Sequence, residues 1–244
     1  MTPPLTVAAV QSVPVTGDVV ENLARAEYLL AQVPEADLVV FPELSLTGYD
    51  LDLLKNDPRA WFRPGDERLD PIREAVAARG ACVVLGAPVE VKGRRHIASL
   101  VLTGIGPDVV APKTYLHGAE NDLVEPGAGP VVLAVADWKI ALAVCFDTSV
   151  PEHAGAAGTA GAQVYVASVL YTAGEERKMA DRMAARARDN GMWSVAANLG
   201  GHPVGERSSG GTGVWAPDGT LRAGATGRDE EIVIEILHAQ TGPA

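Results

Sequence analysis

Short, unbroken apolar runs, each closed by a turn or a reactive side chain, limit what this chain can become. The clearest are Leu5-Thr6-Val7-Ala8-Ala9-Val10-Gln11, Asp37-Leu38-Val39-Val40-Phe41-Pro42-Glu43 and Ile140-Ala141-Leu142-Ala143-Val144-Cys145. Runs of this length read as strands buried in a core. Between the first two, Val19, Leu23, Ala26, Leu30 and Val33 recur at spacings of 4, 3, 4 and 3. That is one helical face, and Asp18 with Glu21 supplies a capping box at its start. A second helix is expected from Asp70-Pro71 to Arg79, stopped by Gly80. Further strand-like runs cover 81–88, 96–102, 109–115, 130–136 and 138–144. Past Cys145 the pattern gives a short helix, a strand at 163–168, a long helix at about 174–190 and a strand at 192–198. The tail segments 213–217, 219–223 and 231–237 read as three antiparallel strands joined by turns, with Pro217-Asp218-Gly219 marking one. Strands and helices alternate, but extra hairpins interrupt the βαβ rhythm. A layered α/β sandwich fits this better than a barrel or a simple doubly wound sheet.

A chain of 244 residues with 47% hydrophobic content can bury one large core without staples. The net charge of −11 argues against nucleic acid as a partner, since phosphate binding needs a basic surface. Cys82 and Cys145 form no CxxC pair and no zinc spacing, which fits a reducing cytoplasm. The N-terminal segment lacks a basic stretch, and no run approaches ~20 apolar residues, so neither a signal peptide nor a membrane span is expected. No linker, repeat or low-complexity segment appears, and the Gly/Ser-rich stretch 200–213 reads as an internal loop.

Cys145 ends its strand just before Ser149-Val150-Pro151-Glu152, which reads as a helix start. Ser149 is the expected N-cap, Glu152 its reciprocal partner, and Pro151 is tolerated in a first turn. A thiol at such a junction faces backbone N–H groups and the positive end of a helix dipole, both of which favour thiolate. Two more reactive groups end strands: Glu43 after Leu38–Pro42, and Lys113 after Val109-Val110-Ala111-Pro112. Strand ends at one edge of an α/β fold share a site, so the three can converge. A buried carboxylate serves as base for a cysteine nucleophile, and an ammonium with a backbone N–H holds an oxyanion. Singly, each has a structural explanation. Free cysteine packs as a small hydrophobe, a carboxylate pairs with arginine, and a lysine sits solvated at a strand edge.

The segments together resemble the nitrilase superfamily of carbon–nitrogen hydrolases. Phe41-Pro42-Glu43-Leu44-Ser45-Leu46-Thr47-Gly48-Tyr49 resembles its glutamate motif, and Pro112-Lys113-Thr114-Tyr115-Leu116 its lysine motif. Cys145-Phe146-Asp147-Thr148-Ser149-Val150-Pro151-Glu152 resembles its nucleophile motif. Glu120 falls where many members carry a second glutamate. Arg186-Ala187-Arg188-Asp189-Asn190-Gly191, Ala197-Asn198 and the C-terminal strands continue the likeness from Val7 to about Leu237.

The resemblance implies a four-layer α-β-β-α sandwich, one hydrolase domain over 1–244, and a Glu43-Lys113-Cys145 triad. It implies an oxyanion held by Lys113 and the Phe146 N–H, a thioester intermediate, no metal or organic cofactor, and a homodimer or higher homo-oligomer. Glu120 would orient Lys113 or the substrate amide. Tyr49 and Tyr171, just past strands at the same edge, are candidate substrate-binding residues. His117 and His153 are the alternative bases of a Cys-His hydrolase, which needs one of them within reach of the thiol.

Two departures narrow the substrate. Cys145-Phe146-Asp147 looks like the amide branch, where nitrilases commonly show Cys-Trp-Glu. Ser149 stands where many small amidases carry arginine, so a small uncharged aliphatic amide is the first expectation. N-carbamoyl hydrolysis, nitrile hydrolysis and acyl transfer to an amine are the enzymatic alternatives. A catalytically silent binding protein on the same fold is the alternative from another class.

Overall fold

The computed structural model describes residues 2–240. In chain order its elements are β1 (Leu5–Gln11), α1 (Val19–Ala31), β2 (Leu38–Val40), α2 (Leu51–Asn56), α3 (Asp70–Ala77), β3 (Cys82–Val91), β4 (Arg94–Leu102) and β5 (Val109–Pro112). There follow β6 (Val131–Val135), β7 (Trp138–Val144), α4 (Pro151–Thr159), β8 (Val164–Val169), α5 (Glu176–Asn190) and β9 (Trp193–Asn198). The chain closes with β10 (Gly213–Trp215), β11 (Leu221–Gly224) and β12 (Glu231–Leu237). They form two six-stranded sheets, ordered β12-β1-β2-β3-β4-β5 and β11-β10-β9-β8-β7-β6.

Alternation along the strands builds the layers. In β1, Ala8 and Val10 face Leu23 and Leu30 of α1 and Ile72 and Val76 of α3. Val7 and Ala9 face the other way, into a core shared with Ile140, Leu142, Val166 and Val195 of the second sheet. In β7, Ala141 and Ala143 face Ala154 of α4 and Met179 and Met183 of α5. The result is an α-β-β-α sandwich. Asp18 caps α1 by accepting the Glu21 N–H, as its sequence signature predicts.

Three expectations change. Segment 213–237 is not one three-stranded unit: β10 and β11 pair in the second sheet, whereas β12 crosses to pair antiparallel with β1 in the first. The capping sequence after Cys145 is also displaced. Residues Cys145–Ser149 form a 3-10 turn, and α4 begins at Pro151 with Val150 at its N-cap and no side-chain cap. Ser149 Oγ is buried without a hydrogen-bond partner. Finally, β5 stops at Pro112, so Lys113 lies just past the strand rather than within it. No helix of the described residues is long and apolar enough to cross a membrane.

Candidate active site

Glu43, Lys113 and Cys145 meet at one edge of the sandwich, the first two from one sheet and the third from the other. Glu43 lies beyond β2. Phe41 extends the ladder through its N–H to Val84 O (2.8 Å), and Pro42 ends it. The chain then turns sharply at Leu44, whose φ of +49° lies in the left-handed region. Ser168 of β8 donates its hydroxyl to Phe41 O at 2.8 Å, tying this turn to the opposite sheet.

Lys113 follows β5 and is held by its N–H to Ile97 O and by Gly127 N–H on its own carbonyl, both at 2.8 Å. Its Nζ donates to Glu43 Oε1 at 2.8 Å and to Glu120 Oε1 at 2.7 Å. All three side chains are about 1% exposed or less. Glu120 Oε1 also accepts the Tyr49 hydroxyl (2.7 Å), and Oε2 accepts the His117 N–H (2.7 Å). Both Glu120 oxygens are thus engaged, so it is built to hold Lys113 in place. Glu43 Oε2, by contrast, is buried with no hydrogen-bond partner among the described residues, and the carboxyl lies close enough to the Cys145 thiol for each to perturb the other.

Cys145 takes a φ of +42° at the end of β7, a strained conformation for a residue with a Cβ. Its half-buried Sγ approaches Leu170 O at 3.5 Å. Phe146 follows in the first turn, where helical N–H groups lack intrahelical partners, and lines the same cavity. That cavity measures about 230 Å³, suited to a small molecule.

Burial pushes the Glu43 carboxyl above its ordinary value against the pull of Lys113. Burial and then the Glu43 charge raise the Cys145 thiol. This differs from the thiolate that the strand-to-helix junction suggests, because desolvation outweighs the dipole of a brief 3-10 turn. For Lys113, burial works against the charge, but Glu43, the cysteine and Glu120 together hold the ammonium well above its usual range. A raised carboxyl beside a raised thiol is the pairing that base-assisted attack by a cysteine calls for.

Tyr49 and Tyr171 both line the cavity. Tyr171 bonds Thr148 Oγ1 at 2.9 Å and accepts from Arg182 Nη1 at 3.0 Å. His153 points elsewhere: its Nδ1 bonds the Tyr165 hydroxyl at 2.9 Å, and burial lowers it to about 4. The His117 ring stacks 5.2 Å from that of Phe146 and makes no bond to the thiol among the described residues. Neither histidine ring is hydrogen-bonded to the thiol among the described residues. No group of three His, Cys, Asp or Glu among the described residues is placed to hold a metal ion.

Sequence reasoning passed over three contributors. Asp147 accepts N–H groups from both reactive turns. Arg186 of α5, buried, donates Nε to Thr148 O at 3.0 Å and braces the nucleophile turn. Arg182, with Lys178 and Glu175, forms one wall of the cavity. The first two sit inside motifs already visible, but Arg182 has no signal beyond the periodicity of α5.

A family model described as carbon–nitrogen hydrolase matches residues 6–242. The hydrolase of the pqqF 5′ region of Pseudomonas protegens is 29% identical over 240 residues, spanning 96% of this chain and 83% of that protein. An (R)-stereoselective amidase from Pseudomonas sp. is 28% identical over 222 residues, 88% of this chain and 78% of that one. Among solved structures, the amidase from Nesterenkonia sp. AN1 in complex with butyramide superimposes with a TM-score of 0.85 at 24% identity, covering 96% of this chain and 90% of that one. A form of that amidase with the acetamide moiety of fluoroacetamide added covalently at its active-site cysteine gives a TM-score of 0.86 at 25% identity, with the same coverage.

Proposed function

The chain belongs to the carbon–nitrogen hydrolase family, and from that premise we propose that it cleaves the C–N bond of a small amide through a thioester on Cys145. The observation that carries this reading is the convergence of a strained, accessible cysteine with a buried lysine clasped between two glutamates in one cavity.

In this reading Glu43 Oε2 takes the thiol proton as Sγ attacks the amide carbonyl. The new C–S bond forms while the carbonyl π pair moves to oxygen. Lys113 Nζ and the Phe146 N–H hold that oxyanion; losing one such donor typically costs about 3–4 kcal/mol of barrier. The oxyanion collapses, the C–N bond breaks, and the leaving nitrogen takes the proton from Glu43. Ammonia or an amine departs, and an acyl thioester remains. Glu43 then removes a proton from water, hydroxide adds to the thioester, the C–S bond breaks, and the sulfur regains its proton. Glu120 keeps Lys113 aimed and charged, since its own oxygens are fully occupied by Lys113, Tyr49 and His117.

The decisive experiment incubates the protein with a mixed amide library and reads Cys145 by mass spectrometry after acid quench. The reading requires an acyl adduct at Cys145 together with ammonia or amine release. Carbon dioxide released with ammonia would turn it toward N-carbamoyl substrates. Labelling of Cys145 by a thiol reagent without turnover of any amide would favour a silent binding protein.

A further inference from the structure

We propose that the cavity selects amides carrying a carboxylate at the end remote from the scissile bond, and that Arg182 is the anchor for that charge. This rests on the amide-hydrolase reading of the same cavity.

The charges around the cavity divide by depth. At its floor, Lys113, Glu43 and Glu120 are locked to one another and shielded from solvent. At its rim, Glu175, Lys178 and Arg182 stand at spacings of three and four, on one face of the helix that α5 continues. Lys178 Nζ is spent on Glu175 Oε1 at 2.7 Å, and Glu175 Oε2 on the Thr172 N–H at 3.1 Å. Arg182 has no carboxylate within 4.0 Å among the described residues, and its one side-chain hydrogen bond goes to the Tyr171 hydroxyl at 3.0 Å. A guanidinium carries five N–H donors, so most of its fork is unspent, and the residue lines the cavity. In a chain of net charge −11, ten of the fifteen arginines pair with aspartates or glutamates among the described residues; of the five that do not, Arg182 is the one that lines this cavity.

Its position relative to the nucleophile is fixed. The Tyr171 hydroxyl meets Thr148 Oγ1 at 2.9 Å, and that hydroxyl donates to Cys145 O at 2.7 Å. An amide carbonyl held at Lys113 would therefore leave its far end near Arg182, with Leu170, Phe146 and Val204 flanking an aliphatic linker. The planar fork of arginine suits a carboxylate through paired hydrogen bonds. Ser149 in place of arginine points to an uncharged substrate when the nucleophile motif is read alone. The helix α5 supplies the cation from elsewhere in the chain.

The test compares succinamate with its neutral isostere 4-methylpentanamide as substrates of the wild type, Arg182→Gln and Arg182→Lys. We expect the wild type to favour succinamate at least ten-fold in kcat/KM, chiefly through KM. In Arg182→Gln that ratio should fall at least ten-fold, and Arg182→Lys should keep part of it. A wild-type ratio near one, or a ratio that Arg182→Gln leaves unmoved because both substrates weaken together, overturns the proposal. Calorimetric titration of succinamate into Cys145→Ala, with and without Arg182→Gln, reads the anchor without turnover. Binding weakened at least ten-fold by Arg182→Gln upholds the anchor even if no amide is hydrolysed. Hydrolysis with no Arg182 effect on selectivity or binding overturns the anchor and leaves the hydrolase reading standing.

Discussion

Asp147 Oδ1 accepts the N–H groups of Thr114 at 3.0 Å and Tyr115 at 2.8 Å, and its Oδ2 accepts that of Val144 at 2.9 Å. One carboxylate thus joins the turn that carries Lys113 to the turn that carries Cys145. Burial pushes it from 3.8 up to about 6. A raised carboxyl contributes stability that is present below its unfolded value and is lost as pH rises through about 6. At about 1.36 kcal/mol per unit, that loss reaches about 3 kcal/mol. Asp147→Asn escapes it, so its stability relative to wild type should improve by up to about 3 kcal/mol between about pH 4 and pH 7. Urea midpoints at the two pH values read this directly, and a constant difference would contradict it. The same variant sets an amide N–H against the Val144 N–H, at a cost of about 1–3 kcal/mol, and should lower kcat about ten-fold or more. Cys145→Ala makes the sharper prediction at this scale. Amide turnover should vanish while the melting temperature and circular dichroism stay near wild type, and residual turnover in the purified variant would remove the nucleophile assignment. Cys145, Glu43 and Lys113 were legible because each ends an apolar run. Asp147 was legible only as a letter of a motif, since its work depends on two turns remote in sequence.

At the scale of elements, a glycine in β3 decides where Glu43 can sit. A Cβ on Gly86 would lie 1.9 Å from Pro42 O and 2.6 Å from Leu44 N, both backbone atoms. The turn that presents Glu43 rests directly on the strand: Leu46 N–H bonds Gly86 O at 3.2 Å, and Ser45 Oγ bonds the same carbonyl at 3.3 Å. Gly86→Ala should therefore lift this turn, separate Glu43 from Lys113 and cut kcat at least a hundred-fold. Overpacking of this kind also destabilises by about 1–3 kcal/mol. Wild-type kcat in a folded Gly86→Ala protein would show that the contact does not position Glu43. Local periodicity made α1 and α3 readable to within a residue or two, because a helix satisfies its hydrogen bonds within its own segment. The strand through Gly86 was readable at its start, though it runs three residues past the expected end at Pro88, and nothing local reports that another backbone lies against it. The left-handed turn at Cys145 was hidden for the same reason, as the surrounding 3-10 turn and α5 impose it through contacts such as Arg186 Nε to Thr148 O.

Across the whole molecule, β12 is the element whose removal reaches furthest. The chain leaves the second sheet after β11 and returns to pair seven residues with β1, from Leu5 opposite Leu237 to Gln11 opposite Glu231. Its alternation serves two layers at once. Val233 and Leu237 enter the core between the sheets, while Ile232 packs toward α1. Gln11 fixes the approach by donating Nε2 to Gly227 O at 3.1 Å and Asp229 O at 2.7 Å. This crossing is long-range, so three strand-like tail segments read as one unit until the pairing is seen. Fully buried side chains such as Val233 and Leu237 contribute about 1.5–3 kcal/mol each, and the half-buried Ile232 less, against a typical net stability of about 5–15 kcal/mol. Ending the chain after Thr226 removes all three and bares the edge of β1, on which β2 and hence the Glu43 turn are built. The truncated protein should lose its cooperative thermal transition, expose apolar surface to a fluorescent dye and hydrolyse no amide. If it kept a sharp melt and wild-type turnover, the two sheets would be independent supports, and the site would depend on the strands nearest to it alone.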